Sequence, residues 1–253
     1  MPSALVVGAT TSLGKAIVRR LVFAGYKVGA AGECANATGA VAEDNKKVGG
    51  DVTAFAADVT KADHRKELIE KAAAHLGGVD SLIIVPPQNT VKGDILDASA
   101  SQFDQLFNSH LTVPYQLVQA AVPTLQKSKN GNVVLLSSCA GYTPSLEVGL
   151  FSVVSTSILG LTTALAKDVG ARGVRVNCVV SAMVENDGSG AFYDKIEGEE
   201  AVKLRQNIES VIPIGRLGRP SDVASMVEFL ASSRARYITA ENCVVNGGVS
   251  YRL

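Results

Sequence analysis

Apolar runs of strand length alternate with helical periodicity along most of the chain. The first run, ALVVG at residues 4–8, precedes SLGKAIVRRLVFAG, in which apolar residues recur at the three- and four-residue spacing of a helix face. Further apolar runs, most of them followed by a helical segment, occur along the rest of the chain. The predicted strands are residues 4–8, 26–31, 52–58, 80–85, 132–138, 174–180 and 242–248.

These predicted strands are apolar throughout and do not alternate between apolar and polar residues. Such strands, each followed by a helix, are typical of a parallel sheet that is covered on both faces. Right-handed crossovers then give a doubly wound sheet. We therefore predict an α/β fold: a single domain over residues 1–253, with a Rossmann-like parallel sheet and helices on both of its faces.

Charge and hydropathy narrow the classes of partner. Lys plus Arg and Asp plus Glu both number 24, so the formal net charge is zero and the chain has no general attraction to nucleic acid or anionic membranes. No apolar run approaches the ~20 residues of a membrane span, and a predicted strand begins too early to leave room for a signal peptide. We expect no nucleic-acid or membrane partner and a cytoplasmic location. Peroxisomes are the alternative, because Tyr251-Arg252-Leu253 resembles a weakened peroxisomal address.

The four cysteines do not form a recognisable metal or disulfide pattern. Cys34, Cys139, Cys178 and Cys243 lie far apart in the sequence, and the last three are in or beside apolar runs. Small buried thiols in a reducing compartment are the expected reading of such cysteines. We predict no metal site.

The segment VVGATTSLG, residues 6–14, leads from the first strand into the first helix. Gly8 permits a tight turn there, and Gly14 lets the helix pack close to the sheet. Backbone amides at the start of such a helix face the pyrophosphate of a dinucleotide. The predicted contacts to the dinucleotide are Gly8, Thr10, Ser12, Leu13 and Gly14.

This turn resembles the TGxxxGxG motif of short-chain dehydrogenases/reductases, with Val7 for Thr and Ser12 for the middle Gly. AADVT resembles the family's Asp-Val after the third strand, and NVVLLSSCAG resembles the segment that carries the catalytic serine. The resemblance covers essentially the full length and is closest to NADP-dependent carbonyl reductases of the peroxisomal type. It implies that Asp58 contacts the adenine amino group and that Val59 lies against the adenine ring.

The resemblance also implies catalytic residues that this chain lacks. In the family a tyrosine supplies the proton, a lysine four residues later lowers the pKa of that tyrosine, and an asparagine on an earlier helix holds a relay water. Counting from the catalytic serine, Ser138, the tyrosine position is Phe151 and the lysine position is Ser155. The asparagine position is His110. We therefore predict a non-catalytic or very weakly active binding or assembly protein.

The cofactor contacts implied by the resemblance are changed as well. The family's Asn-Asn-Ala-Gly after the fourth strand reads Ile84-Val85-Pro86-Pro87 here, and the two prolines remove backbone donors. The Pro-Gly after the sixth strand reads Ser181-Ala182. At the end of the second strand, Glu33 would repel a 2′-phosphate. We predict no cofactor or weak binding of NAD, with NADP disfavoured.

An alternative hypothesis keeps the family's activity. In it the chain is an NAD(P)-dependent carbonyl reductase or alcohol dehydrogenase whose chemistry is rewired through His110, Ser138 and Tyr193. Family oligomers pair the helices around residues 103–127 and 150–170, and both segments are apolar here. We expect a homodimer, a homotetramer or a hetero-oligomer with an active paralogue.

Overall fold

A parallel sheet of seven strands runs through the protein in the computed structural model, which describes residues 1–87, 91–144, 146–185 and 198–249. The strands are β1 (Ser3–Val7), β2 (Lys27–Gly32), β3 (Val52–Ala56), β4 (Ser81–Ile84), β5 (Asn132–Ser138), β6 (Arg175–Ser181) and β7 (Asn242–Val245). They lie in the order β3-β2-β1-β4-β5-β6-β7, and each neighbouring pair is parallel. The predicted doubly wound α/β fold is confirmed.

Two predicted strands extended too far at their carboxyl ends. The third was predicted over 52–58 and ends at Ala56, and the seventh was predicted over 242–248 and ends at Val245. Polar side chains start turns at both places: Asp58 accepts a hydrogen bond from the backbone two residues later, and so does Asn246. Such turns compete with the strand ladder. The single domain over residues 1–253 stays a prediction.

The helices cover both faces of the sheet. They are α1 (Ser12–Phe23), α2 (Ala35–Lys46), α3 (Ala62–Leu76), α4 (Ala100–Phe107), α5 (Val113–Leu125), α6 (Gly149–Gly170), α7 (Gly198–Ser210) and α8 (Pro220–Ala231). Helices α3, α5 and α6 contribute to one buried cluster, and α1, α2 and α8 contribute to the other. The carboxyl ends of the strands therefore open between two packed layers, which is where such sheets bind ligands.

Helix α6 is long and apolar enough to cross a membrane by length and composition. About half of that apolar window is buried inside the fold, where α6 packs against β5 and β6. A core helix of a globular domain passes the same test of length and hydropathy. Its apolar character is therefore explained by its position in the fold.

Candidate active site

The turn between β1 and α1 is so tight that two of its residues have no room for a side chain. Gly8 has φ +81°, and a Cβ there would lie 2.3 Å from the Val85 carbonyl oxygen. A Cβ on Gly14 would lie 2.2 Å from the Gly8 carbonyl oxygen. Thr11 closes the turn, since its Oγ1 donates to Gly8 O at 3.0 Å and accepts from Gly14 N at 2.9 Å. The sequence prediction that this turn needs both glycines agrees with this geometry.

The amino end of α1 presents polar groups without protein partners. Ser12 is the first residue of the helix, and its Oγ is buried with no hydrogen-bond partner among the described residues. The amides of Ser12 and Leu13 have no acceptor within the helix, as at any helix start. A buried hydroxyl beside free amides fits the pyrophosphate of a dinucleotide. These residues would hold that group at the turn.

The adjoining end of β2 has a small residue followed by an acid. A Cβ on Gly32 would lie 3.1 Å from the methyl carbons of Thr10 and Thr38, so Gly32 lets the β1–α1 turn and α2 approach the strand end. Glu33 follows directly and is exposed. A dinucleotide extending from α1 across β2 would meet this carboxylate. Thr10 packs beside Gly32, and Leu13 is buried in the core.

Asp58 and Val59 lie at the end of β3 in a turn that uses much of their hydrogen-bonding capacity. The Asp58 carboxylate accepts from the Thr60 hydroxyl at 2.5 Å and from the Thr60 amide at 3.0 Å, and it lies 3.4 Å from Lys61 Nζ. These bonds from Thr60, followed by Lys61, lower the pKa of Asp58. The buried Arg65 donates to the Val59 carbonyl at 2.7 Å. These hydrogen bonds therefore hold the turn in place in the protein without a ligand.

Ser138 stands at the carboxyl end of β5 with its hydrogen unused. Its Oγ accepts from the Ala140 amide at 3.2 Å, and no described residue accepts a hydrogen bond from it. The nearby hydroxyls differ: Ser137 donates to the Ser155 carbonyl at 2.9 Å, and Ser155 donates to the Phe151 carbonyl at 2.7 Å. Ser138 therefore remains able to donate to a substrate oxygen.

His110 lies in an irregular helical turn beside Phe151. Residues Asn108–Thr112 form one π-helical turn between α4 and α5, a feature that is frequent at functional sites. The imidazole is 4% exposed, and its ring meets the Phe151 ring edge-on with 5.9 Å between centroids. Its Nδ1 lies 2.9 Å from Ser109 Oγ. Sequence reasoning missed the π turn and the contact between Ser109 and His110, although Pro114, two residues after the turn, lacks the N–H that a regular helix needs at that point.

The buried imidazole is uncharged at neutral pH. Burial lowers the pKa of His110 to about 4, although the nearby carbonyls of Leu106 and Pro87 oppose the shift. Its Nε2 is also buried, and no described group reaches hydrogen-bond geometry with it. No hydrogen bond joins His110 to Ser138 within the described ranges, so the two residues do not form a nucleophile–base pair there.

Two further sequence-based candidates fall outside the described residues, namely Tyr193 and the terminal Tyr251-Arg252-Leu253. Among the residues that are described, no cluster of three His, Cys, Asp or Glu side chains has the arrangement of a metal site. The site as described consists of the β1–α1 turn, the ends of β2 and β3, Ser138, and the wall of α6 facing His110.

Comparison with known proteins gives full-length relatives. Residues 8–250 match the family described as enoyl-(acyl carrier protein) reductase. Human dehydrogenase/reductase SDR family member 4 is 35% identical over 251 residues, which cover 99% of this chain and 88% of that protein. Human dehydrogenase/reductase SDR family member 2, mitochondrial, is 34% identical over 245 residues, covering 96% of this chain and 85% of that protein. A solved dehydrogenase/reductase from Sinorhizobium meliloti has a TM-score of 0.87 and 25% identity, covering 98% and 95% of the two chains.

The hypothesis of a non-catalytic binding or assembly protein is contradicted by these relatives. They match the chain almost from end to end and are named as dehydrogenases/reductases. Phe151 and Ser155 remove one route for a proton, but they leave the donor of Ser138 and the β1–α1 turn in place. The alternative hypothesis, an oxidoreductase with rewired chemistry, agrees better with the findings.

Proposed function

Because the chain belongs to the short-chain dehydrogenase/reductase family, we propose that it is an oxidoreductase that interconverts a carbonyl group and an alcohol. Members of this family bind NAD(P), and the bound nicotinamide supplies or accepts the hydride. The observation that carries the proposal is the unused hydrogen of Ser138 at the carboxyl end of β5. The substrate carbonyl takes that hydrogen bond.

Ser138 acts on the charge that develops on the substrate oxygen during reduction. Its Oγ already accepts from the Ala140 amide, so the hydroxyl hydrogen points away from that amide and is left for another acceptor. One donor placed at a developing oxyanion contributes on the order of 10²–10³-fold to the rate. Ser138 thus supplies stabilisation that does not depend on an ionisable side chain.

The proton must come from another group than residue 151. Phe151 has no exchangeable hydrogen, and His110 is neutral with its Nε2 buried. We assign proton donation to Tyr193, which lies in the stretch of sequence that usually forms the substrate lid in this family. General acid catalysis of this kind contributes about 10²–10⁴-fold.

NAD is the proposed cofactor, bound weakly. Glu33 is exposed at the end of β2, where its charge would oppose a 2′-phosphate. Pro86 and Pro87 offer no backbone N–H to a ribose. The prolines lower the affinity for either dinucleotide, and Glu33 discriminates against NADP.

A self-associated form is proposed from exposed apolar side chains on two helical segments. Phe103 on α4, Tyr115 on α5 and Val153 on α6 are 44%, 43% and 43% exposed. Large apolar side chains that are exposed on the helices of a monomer can become buried when copies associate. We propose a homodimer or homotetramer paired through these helices.

The activity is tested by following NADH and NADPH oxidation with a reactive α-diketone. Turnover by the parent is expected, and Ser138→Ala should lower kcat about 100-fold. Ser157→Ala is the matched control, because Ser157 is a serine whose hydroxyl only donates within α6, to Val153 O at 3.0 Å. Tyr193→Phe should also lower kcat, by at least about tenfold. Equal rates for Ser138→Ala and the control would refute the role of Ser138.

A further inference from the structure

A partly enclosed cavity of about 190 Å³ lies beyond the carboxyl ends of β6 and β7. It is bounded by residues 182–184 after β6, by residues 245–247 at the end of β7, and by the loop between α7 and α8. A cavity of about 150 Å³ with apolar walls is large enough to bind a benzene molecule. This cavity therefore has room for one compact ring.

The loop between α7 and α8 is fixed to both strand ends. The Gly218 amide donates to the Met183 carbonyl at 3.1 Å, and the Ile214 amide donates to the Gly247 carbonyl at 3.1 Å. Gly247 has φ +67°, and a Cβ there would lie 2.8 Å from Ile212 Cγ2, so a larger residue would push the loop away. The walls of the cavity are therefore in place without a ligand.

Most side chains that line the cavity are apolar, and the polar ones are already bonded within the protein. Arg216 and Asp222 pair with each other at two points, with N–O distances of 2.7 and 3.2 Å. Asn246 accepts from the Gly248 amide at 3.0 Å and donates to the Val249 carbonyl. A water in a cavity needs several polar partners, whereas a dry apolar cavity binds apolar molecules. The lining therefore suits an uncharged apolar group.

The cavity begins one strand away from Ser138. Ser138 is paired with Ser181 in the register of β5 and β6, and Ala182, the next residue, belongs to the cavity wall. With strands about 4.8 Å apart and a rise of about 3.3 Å per residue, the Cα atoms of Ala182 and Ser138 are about 6 Å apart. A carbonyl compound bound to Ser138 can therefore reach the cavity with a substituent on a short spacer.

We propose that this cavity is a substrate subsite, which takes a compact apolar group of about the size of a benzene ring from the carbonyl compound. The identity of the occupant as a substrate rests on the proposed function, whereas the affinity of the cavity for apolar molecules does not. Val245 is a half-buried part of the wall, and Ile214 is a part of it that is 65% exposed. These two residues are the points at which the subsite can be changed.

Binding to the cavity is measured by NMR of valine methyl groups during titration with benzene. The parent should show saturable shifts of the Val184 and Val245 signals, because both residues line the cavity. The signal of Val48, which follows α2 and is not part of the lining, should stay in place. Benzylacetone, in which a benzene ring is joined to a methyl ketone by a short spacer, should shift the same two signals.

Two surface variants test whether the shifts come from the cavity. Ile214→Asp puts a carboxylate into the wall and should weaken the binding of benzene and benzylacetone about tenfold. Val211→Asp is the matched control, because Val211 lies in the same loop, is 69% exposed and does not line the cavity. Its titrations should match those of the parent.

Use of the cavity by a substrate is measured from kcat/KM for benzylacetone and for butanone, which has no ring. The parent should prefer benzylacetone at least about tenfold, because the ring leaves water when it enters the cavity. Val245→Phe fills the cavity and Ile214→Asp charges its wall, so each should reduce the preference to about twofold. Val211→Asp should keep the preference of the parent.

Three results would each overturn the proposal: benzene that leaves the Val184 and Val245 signals unmoved, equal weakening by Ile214→Asp and Val211→Asp, or turnover of both ketones without a preference for benzylacetone. Absence of turnover with both ketones would instead count against the proposed function. The titrations with benzylacetone would then still decide whether the cavity takes the ring of a carbonyl compound.

Discussion

Replacing Gly14 by alanine tests the close approach of α1 to the first strand. A Cβ at this position would lie 2.2 Å from the Gly8 carbonyl oxygen and 2.8 Å from Ala9 Cα. Comfortable contacts between such atoms are about 3.5–4.0 Å. Both neighbours are backbone, so neither can rotate away, and the start of α1 must move by more than an ångström.

The expected loss of stability follows from two opposing terms. Overpacking typically costs about 1–3 kcal/mol, and a clash with backbone belongs at the upper end of that range. The gain in helix propensity from Gly to Ala is about 1 kcal/mol. Gly14→Ala should therefore lower the free energy of unfolding by about 2 kcal/mol. It should also weaken NADH binding, because the amides of Ser12 and Leu13 move with the helix.

Gly39→Ala is the matched control. Gly39 lies inside α2, and a Cβ there would meet no atom within 4 Å. This variant should gain about 0.5–1 kcal/mol. Urea unfolding of the two variants and the parent measures the difference. If Gly14→Ala is as stable as Gly39→Ala, the tight turn inferred from the glycine positions is wrong.

Three further predictions concern pH, cofactor choice and association. The pKa of His110 is lowered in the folded protein, so the stability that the neutral imidazole contributes is complete above the ordinary pKa of 6.5 and is lost as the pH falls toward about 4. Between these pH values the free energy of unfolding of His110→Gln should therefore fall less than that of the parent protein. Equal losses in the two proteins would contradict the buried neutral imidazole. Glu33→Ala should lower the Kd for NADPH more than the Kd for NADH in calorimetric titrations, and an unchanged ratio would remove Glu33 from the site. Light scattering should find a dimer or tetramer at micromolar concentration that Val153→Asp dissociates, whereas a monomeric parent would end the proposed pairing.

The sequence was sufficient for the fold because its evidence is local and repeated. Each strand is an apolar run, each helix has its own periodicity, and their alternation leaves few topologies. The tight turn at Gly8 and Gly14 was predictable for a related reason, since glycine is the residue without a side chain and is typical of such close approaches. Strand ends were less well predicted, because Asp58 and Asn246 form turns that compete with the ladder.

The details of the site depended on contacts between distant segments. Ser109 meets His110 only because the π turn brings its hydroxyl to the Nδ1 atom of the imidazole. Arg65 likewise gains its bond to Val59 only from the path of the chain between β3 and α3. The spacing of residues along the sequence does not predict such contacts. The inference from Phe151 and Ser155 to a lost activity was wrong for a similar reason: it considered the residues that were replaced and not the donor that remained.

The Ser138 hydroxyl differs from the other hydroxyls around it in its hydrogen bonds. Each serine and threonine of α6 has its hydroxyl within hydrogen-bond distance of a carbonyl one turn earlier: Ser152, Ser155, Thr156, Ser157, Thr162 and Thr163. The Thr156 hydroxyl lies closer still to the Gly141 carbonyl oxygen, at 2.7 Å. These bonds satisfy the hydroxyls locally, so a helix wall without ionisable groups is stable yet has no hydrogen to offer a substrate. Ser137 is committed to α6 in the same way. Ser138, one residue further, accepts a hydrogen bond from the Ala140 amide. Its own hydroxyl hydrogen is therefore the one at the end of β5 that can be donated to a substrate oxygen. In the proposed reaction the substrate carbonyl therefore takes its hydrogen bond from Ser138, and the proton comes from a group outside α6.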